Sequence, residues 1–151
     1  MSIAVGIIGA GNIFPAYLNN LRRARGIRLV GVADADVEAA LRRAEEFGLR
    51  AFSVEELLRS DAEVVLNLTP PLAHHATGLA VLNAGKHFFS EKPLAATFAQ
   101  GQELVALARS RGLRLGCAPD TVLGAGAQTV RAVLDAGTIG TVRHGCAFFM
   151  N

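Results

Sequence analysis

This 151-residue sequence predicts an α/β fold built on a doubly wound parallel sheet, with only the start of a second α/β domain behind it. Three observations predict it. Short β-rich runs alternate with longer stretches of helical periodicity, as expected when helices cross between parallel strands. The first run ends at Gly9-Ala10-Gly11 and a helical pattern follows at once. The chain is also 51% apolar, enough for one sizeable core, since a domain of this size buries about 68–70% of its unfolded surface.

Strands are expected at Ile3–Ile8, Ile27–Ala33, Glu63–Leu68, His87–Ser90 and Leu113–Cys117. The first helical pattern carries Arg22, Arg23 and Arg25 near its end, where cations offset the helix dipole. Val37–Phe47 follows Asp36 as N-cap, sets Ala40, Leu41, Ala44 and Phe47 on one face, and stops at Gly48. Val54–Arg59 reads as a shorter helix. Another opens at Pro71, where a missing N–H costs little, and stops at Gly85, with Leu72, Ala76, Leu79 and Leu82 at core-facing spacing. Thr97 and Gln100 form a capping box for the next helix, which closes before Gly112.

The rhythm then breaks. A loop after Cys117 leads to a helical stretch near Ala127–Ala136, to Gly137 and Gly140, and to the β-rich "TVRHGCAFFM". An apolar strand with nothing to cover or pair it is a liability. It is expected to belong to a second domain, which fits better than pairing with an earlier strand or another subunit. The predicted organisation is a dinucleotide-binding domain over 1–118, with a crossover helix and the first strand of a truncated substrate domain over 119–151.

Composition excludes several functions. The formal charge is +2 with the charges interspersed, and nine aromatic residues form no basic stripe, so nucleic acid is not an expected partner. No apolar run reaches the roughly 18 residues of a membrane span. No charged leader with a cleavage site is visible, and a cytoplasmic protein is expected. Cys117 and Cys146 lack CxxC or Cys/His spacing, so they are expected to be buried, reduced and without metal.

The candidate chemistry begins at "IIGAGNIFPA". Gly9 can take backbone angles that other residues resist. Gly11 lets the main chain approach a pyrophosphate, which would rest on the free N–H groups at the helix start, around Asn12 and Ile13. Asn12 serves as N-cap in this reading, and Pro15 falls in the tolerant first turn. Phe14 stands where a dinucleotide loop prefers a third glycine, which mainly permits close helix–strand packing. A large residue there is expected to push the helix outward, or to aim its ring at the cofactor cleft or a neighbouring domain.

Asp34 ends "LVGVAD", 23 residues after Gly11 (34 minus 11), near the spacing of about 20 expected of an acid that binds the adenosine ribose. A carboxylate there accepts from the 2′- and 3′-hydroxyls and repels a 2′-phosphate. No Arg or Ser is adjacent, so NAD is expected over NADP. "HFFSEKPLA" places Glu91, Lys92 and Pro93 just past a buried strand, at the rim where open sheets bind ligands. Successive residues of an extended chain face opposite ways, so only one of Glu91 and Lys92 points into a cleft. The lysine is the candidate catalytic group, able to bond a substrate oxygen and steady charge during hydride transfer.

Taken together, Gly9-Ala10-Gly11, Asp34, "NLTPPLAHHATGLAVLNAGKHFFSEKPLA" and "LDAGTIGTVRH" resemble the Gfo/Idh/MocA family, the glucose–fructose oxidoreductase and inositol dehydrogenase-like proteins. The resemblance implies a Rossmann-type fold and NAD(P)-dependent oxidation or reduction at a hydroxyl-bearing carbon of a sugar, cyclitol or polyol. It implies that Lys92 is the functional lysine and Glu91 its neighbour. Thr69 and Pro70 match the loop beside the ribose and nicotinamide half. His74 matches the histidine that opens the following helix, either in catalysis or as a helix-start residue with a local hydrogen bond. His75, His87 and His144 are read as structural, and Asp120 and Thr121 fall at the domain crossover, where they could face the nicotinamide. Family members carry a second domain that holds substrate and often supplies an Asp and a His for proton transfer. This polypeptide is therefore expected to bind cofactor and to turn over poorly alone, and homo-oligomerisation is expected. A non-catalytic nicotinamide-dinucleotide module is the alternative; an S-adenosylmethionine site leaves Glu91-Lys92-Pro93 without a role.

Overall fold

The computed structural model describes residues 2–119 and 121–148. In chain order the elements are β1 (Ile3–Ile8), α1 (Phe14–Arg23), β2 (Ile27–Ala33), α2 (Val37–Phe47), β3 (Ala51–Phe52), α3 (Val54–Arg59) and β4 (Val64–Asn67). A 3-10 turn at Pro71–Ala73 leads into α4 (His74–Asn83), followed by β5 (His87–Ser90), α5 (Phe98–Ser110) and β6 (Leu115–Cys117). A second 3-10 turn, Thr121–Leu123, precedes α6 (Ala125–Asp135). The six strands form one parallel sheet in the order β3-β2-β1-β4-β5-β6.

Alternation along the strands divides the core in two. Ile7, Val32 and Leu66 face one way and pack with Phe14 and Leu18 of α1 and Ala44 of α2. Ile8, Ala33 and Val65 face the other and pack with Leu57 of α3, Val81 and Leu82 of α4, and Leu104 and Ala108 of α5. Two helices on one face and three on the other make the sheet doubly wound.

Several helix ends follow from single residues. Asp36 accepts from the N–H groups of Glu38 and Ala39 at 3.0 and 3.3 Å, and Gly48 ends α2 with a φ of +60°. Thr97 and Gln100 form the expected capping box on α5. Phe14 departs from expectation. Its ring faces no cleft; it is fully buried, 5.8 Å from that of Phe47, so the aromatic joins α1 to α2 from within the core.

Other differences have local causes. The fifth expected strand begins at Leu115, because the Leu113 N–H is drawn back to the Ala108 carbonyl at 2.9 Å by the turn that ends α5. β3 was not foreseen, being two residues paired to Val32 and Ala33. Leu41 is exposed on α2, as are Leu72 and Ala76 around α4. The buried face of α4 is instead His74, Gly78, Val81 and Leu82. A Cβ on Gly78 would stand 2.8 Å from Leu104 Cδ2 and 2.9 Å from Phe88 Cε1, so the helix seats on α5 and β5 through a residue without a side chain.

The chain divides into two compact units, 1–118 and 119–151. In the second, α6 begins two residues before the expected stretch, and none of its described residues is buried. Residues 141–148 form no strand, for no described segment offers them a ladder; Phe149 and Met150 of that expected strand lie outside the described residues. Cys146 is exposed rather than buried, and Cys117 is half-buried.

Candidate functional site

Sheet order reverses between β1 and β4, which are neighbours whose chains leave in opposite directions, the place where open α/β sheets leave a ligand crevice beyond their carboxyl ends. The glycine loop follows β1 and the Leu68–Pro70 loop follows β4. Gly9 has a φ of +110°, and a Cβ there would stand 2.5 Å from the Leu68 carbonyl carbon. It is the contact that lets the two loops close together. At Gly11 a Cβ would meet nothing within 4 Å. Its main chain borders open space.

Asn12 does not cap α1. The N-cap is Ile13, at a helical φ of −82° and without a side-chain hydrogen bond, because the Phe14 N–H already turns back to the Gly11 carbonyl at 3.2 Å. The helix start thus lacks any side-chain acceptor for its first-turn N–H groups. Such a terminus, with its positive dipole end, accepts an anion. An open Gly11 and an uncapped helix fit a pyrophosphate.

Asp34 stands at the end of β2. Its Oδ2 accepts from the Ala10 N–H at 2.7 Å and its Oδ1 from the Asp36 N–H at 2.9 Å, so the carboxylate is fastened to the glycine loop itself. Arg43, which sequence reasoning missed, reaches the same loop from α2. Its Nε donates to the Ala10 carbonyl at 3.2 Å and its Nη2 to the Gly11 carbonyl at 3.5 Å, while Nη1 pairs with Glu46 at 2.6 Å. The helical spacing of Asp36, Ala39 and Arg43 was the available signal.

Past β4 and β5 lies a buried polar network. Asn67 Nδ2 donates to Ser90 Oγ at 2.9 Å, and its Oδ1 accepts from the Thr69 N–H at 3.3 Å and the Thr69 hydroxyl at 2.8 Å. This network, also unforeseen, fixes the loop of Thr69 and Pro70. His74 is fully buried, with Nδ1 2.5 Å from the Pro93 carbonyl oxygen and Nε2 2.7 Å from that of Thr69, so its ring bridges the loops after β4 and β5. The Tyr17 hydroxyl of α1 donates to Glu91 Oε1 at 2.6 Å, and Glu91 Oε2 accepts from the Lys92 N–H at 2.8 Å. Glu91 is thereby folded onto α1 and its own chain. Lys92 is exposed, and among the described residues its ammonium has no partner; the Lys92-Pro93 peptide is cis. Cys117 sits behind Glu91, its thiol pushed up in pKa by burial and then by the Glu91 charge. Asp120 lies outside the described residues, and Thr121 opens the turn of the second unit. Among the described residues, no three His, Cys, Asp or Glu side chains could hold a metal ion, and no helix is long and apolar enough to cross a membrane.

With this geometry in place, comparison with known proteins adds the following. Residues 3–118 match the GFO_IDH_MocA model, described as an oxidoreductase family, NAD-binding Rossmann fold. The chain is 33% identical to 1,5-anhydro-D-fructose reductase of Ensifer adhaerens over 138 residues, which are 89% of this chain and 41% of that protein. It superposes with a TM-score of 0.87 and 26% identity on the WlbA dehydrogenase of Bordetella pertussis in complex with NADH and UDP-GlcNAcA, covering 93% of this chain and 44% of that one. A TM-score of 0.77 and 32% identity relate it to biliverdin reductase of Synechocystis in complex with biliverdin and NADP+, covering 88% of this chain and 43% of that one. The chain therefore spans less than half the length of each of these relatives.

Proposed function

We infer the function from one premise: the chain belongs to the Gfo/Idh/MocA oxidoreductase family, and residues 3–118 are its NAD-binding Rossmann domain. The whole protein is a dehydrogenase or reductase that moves hydride between a nicotinamide cofactor and a hydroxyl-bearing carbon of a sugar, cyclitol or related compound. The observation that most supports this reading is the Asp34 carboxylate fastened to Ala10 beside the open Gly11.

In this reading the main-chain N–H groups of Gly11, Asn12 and Ile13 hold the diphosphate, and Asp34 accepts from the adenosine ribose hydroxyls. Gly9 keeps the loop after β4 close, so that Thr69 and Pro70 line the ribose and nicotinamide half. His74 sets the height of that loop against the one that carries Lys92, and Glu91 steadies the same loop through Tyr17. The bound nicotinamide supplies the hydride donor or acceptor. Lys92 donates a hydrogen bond to the substrate oxygen and stabilises the charge that develops there, an electrostatic role its unpaired ammonium suits. The protein works in the cytoplasm as a homo-oligomer, and light scattering after size exclusion tests the second point.

Calorimetric titration of the chain with NAD and NADP tests the cofactor reading. NAD should bind more tightly. Asp34→Ala should weaken NAD roughly tenfold to hundredfold, the loss expected of hydrogen bonds to a charged group, about 1.5–3 kcal/mol. Equal binding of NADP by the unaltered chain would remove the argument from Asp34. In the complete enzyme, Lys92→Met should depress turnover far more than NAD affinity.

A further inference from the structure

We propose that Arg43 is a resident cation for a 2′-phosphate on the adenosine ribose, so that the charge of Asp34 alone makes the site selective for the unphosphorylated cofactor. This rests on the dinucleotide reading above and deepens it. No cation neighbours Asp34 in the chain, and the fold brings one from two turns along α2.

Asp34 and Arg43 hold opposite polar atoms of one residue. The Ala10 N–H donates to Asp34, and the Ala10 carbonyl accepts from Arg43 Nε. A single residue spans at most about 3.6 Å of extended backbone. A ribose bonded to Asp34 therefore lies within the swing of the Arg43 guanidinium. Beside Arg43 a cleft of about 420 Å³ opens between the glycine loop (Ala10, Gly11 and Asn12) and α2, and Ala10, which Asp34 holds, forms part of its wall.

The charged groups that face this end of the site can be named from each element. The turn after β2 brings Asp34 and Asp36; α2 brings Arg42, Arg43 and Glu46; the glycine loop brings none. Arg42 lies 3.8 Å from Asp36 with both side chains exposed, a loose pair. Arg43 pairs with Glu46 and spends its remaining donors on two carbonyls at 3.2 and 3.5 Å. Three carboxylates against two guanidiniums leave the region one negative charge in excess, which opposes a phosphate. Without the Asp34 charge the groups balance. A phosphate then offers Arg43 a charge-assisted, two-pronged bond in place of long bonds to neutral carbonyls.

The test titrates the full chain with two adenosine fragments, 5′-AMP and 2′,5′-ADP, by calorimetry. Asp34→Asn is the principal variant, because its amide oxygen can still accept from the Ala10 N–H; Asp34→Ser is a second variant with an acceptor, and thermal melts check that both fold. The unaltered chain should favour 5′-AMP. Asp34→Asn or Asp34→Ser should bind 2′,5′-ADP at least tenfold more tightly than the unaltered chain does, and adding Arg43→Met should abolish that gain. Absence of the gain in both folded variants overturns the proposal, as does a gain that survives Arg43→Met; in either case NAD binding by the unaltered chain leaves the dinucleotide reading standing. Failure of the unaltered chain to bind NAD or 5′-AMP removes that reading, and the proposal with it.

Discussion

The two cysteines show how much a few ångströms of context decide. Cys117 donates to the Ala118 carbonyl at 3.0 Å and lies 3.7 Å from that of Glu91. Burial, and then the Glu91 charge, raise its pKa from the ordinary 9.0. Because the thiolate is the nucleophile, we expect iodoacetamide at neutral pH to modify the exposed Cys146 first and Cys117 slowly, as peptide mass spectrometry would show. Comparable rates would contradict the burial. The same raised pKa means that the folded chain keeps this proton after the unfolded chain has lost it. Its contribution to stability is complete below the ordinary value and falls as pH rises from there through the folded value. Sequence context alone assigned both thiols to the interior. That failed for Cys146, where an apolar neighbourhood in the chain did not become a packed one.

Among the elements, those with local start and stop signals were legible and those that depend on a partner were not. Asp36 and Gly48 bound α2, and Thr97 with Gln100 opened α5, because each cap is an interaction between residues a few positions apart. α4 was assigned its stretch but not its buried face. Counting apolar side chains passed over Gly78, the residue on which the helix rests. We expect Gly78→Ala to destabilise the chain by about 1–2 kcal/mol in urea unfolding. Overpacking costs about 1–3 kcal/mol, and the better helix propensity of alanine returns up to about 1. A neutral or stabilising result would mean that Leu104 and Phe88 yield readily. The site divides in the same way. The glycine loop and Asp34 form a readable string, whereas Arg43, the Tyr17–Glu91 bond and the Asn67–Ser90 bond join residues far apart in sequence.

At the scale of the whole molecule, every residue of both buried clusters lies within the first unit. We therefore expect a chain ending at residue 118 to unfold cooperatively with a melting temperature close to that of the full chain. A drop of more than about 4 °C, the shift that 1 kcal/mol makes where the 60–100- and 150–250-residue ranges meet, would show that residues 119–151 carry folding energy. The flanks of the sheet have a consequence of their own. β3 contributes two residues and β6 three to the outermost rungs. An incoming strand from another molecule would find almost no ladder to extend on either flank, and short borders of this kind are a known safeguard. The sheet of the first unit therefore gives edge-to-edge growth little purchase, apolar though its interior is.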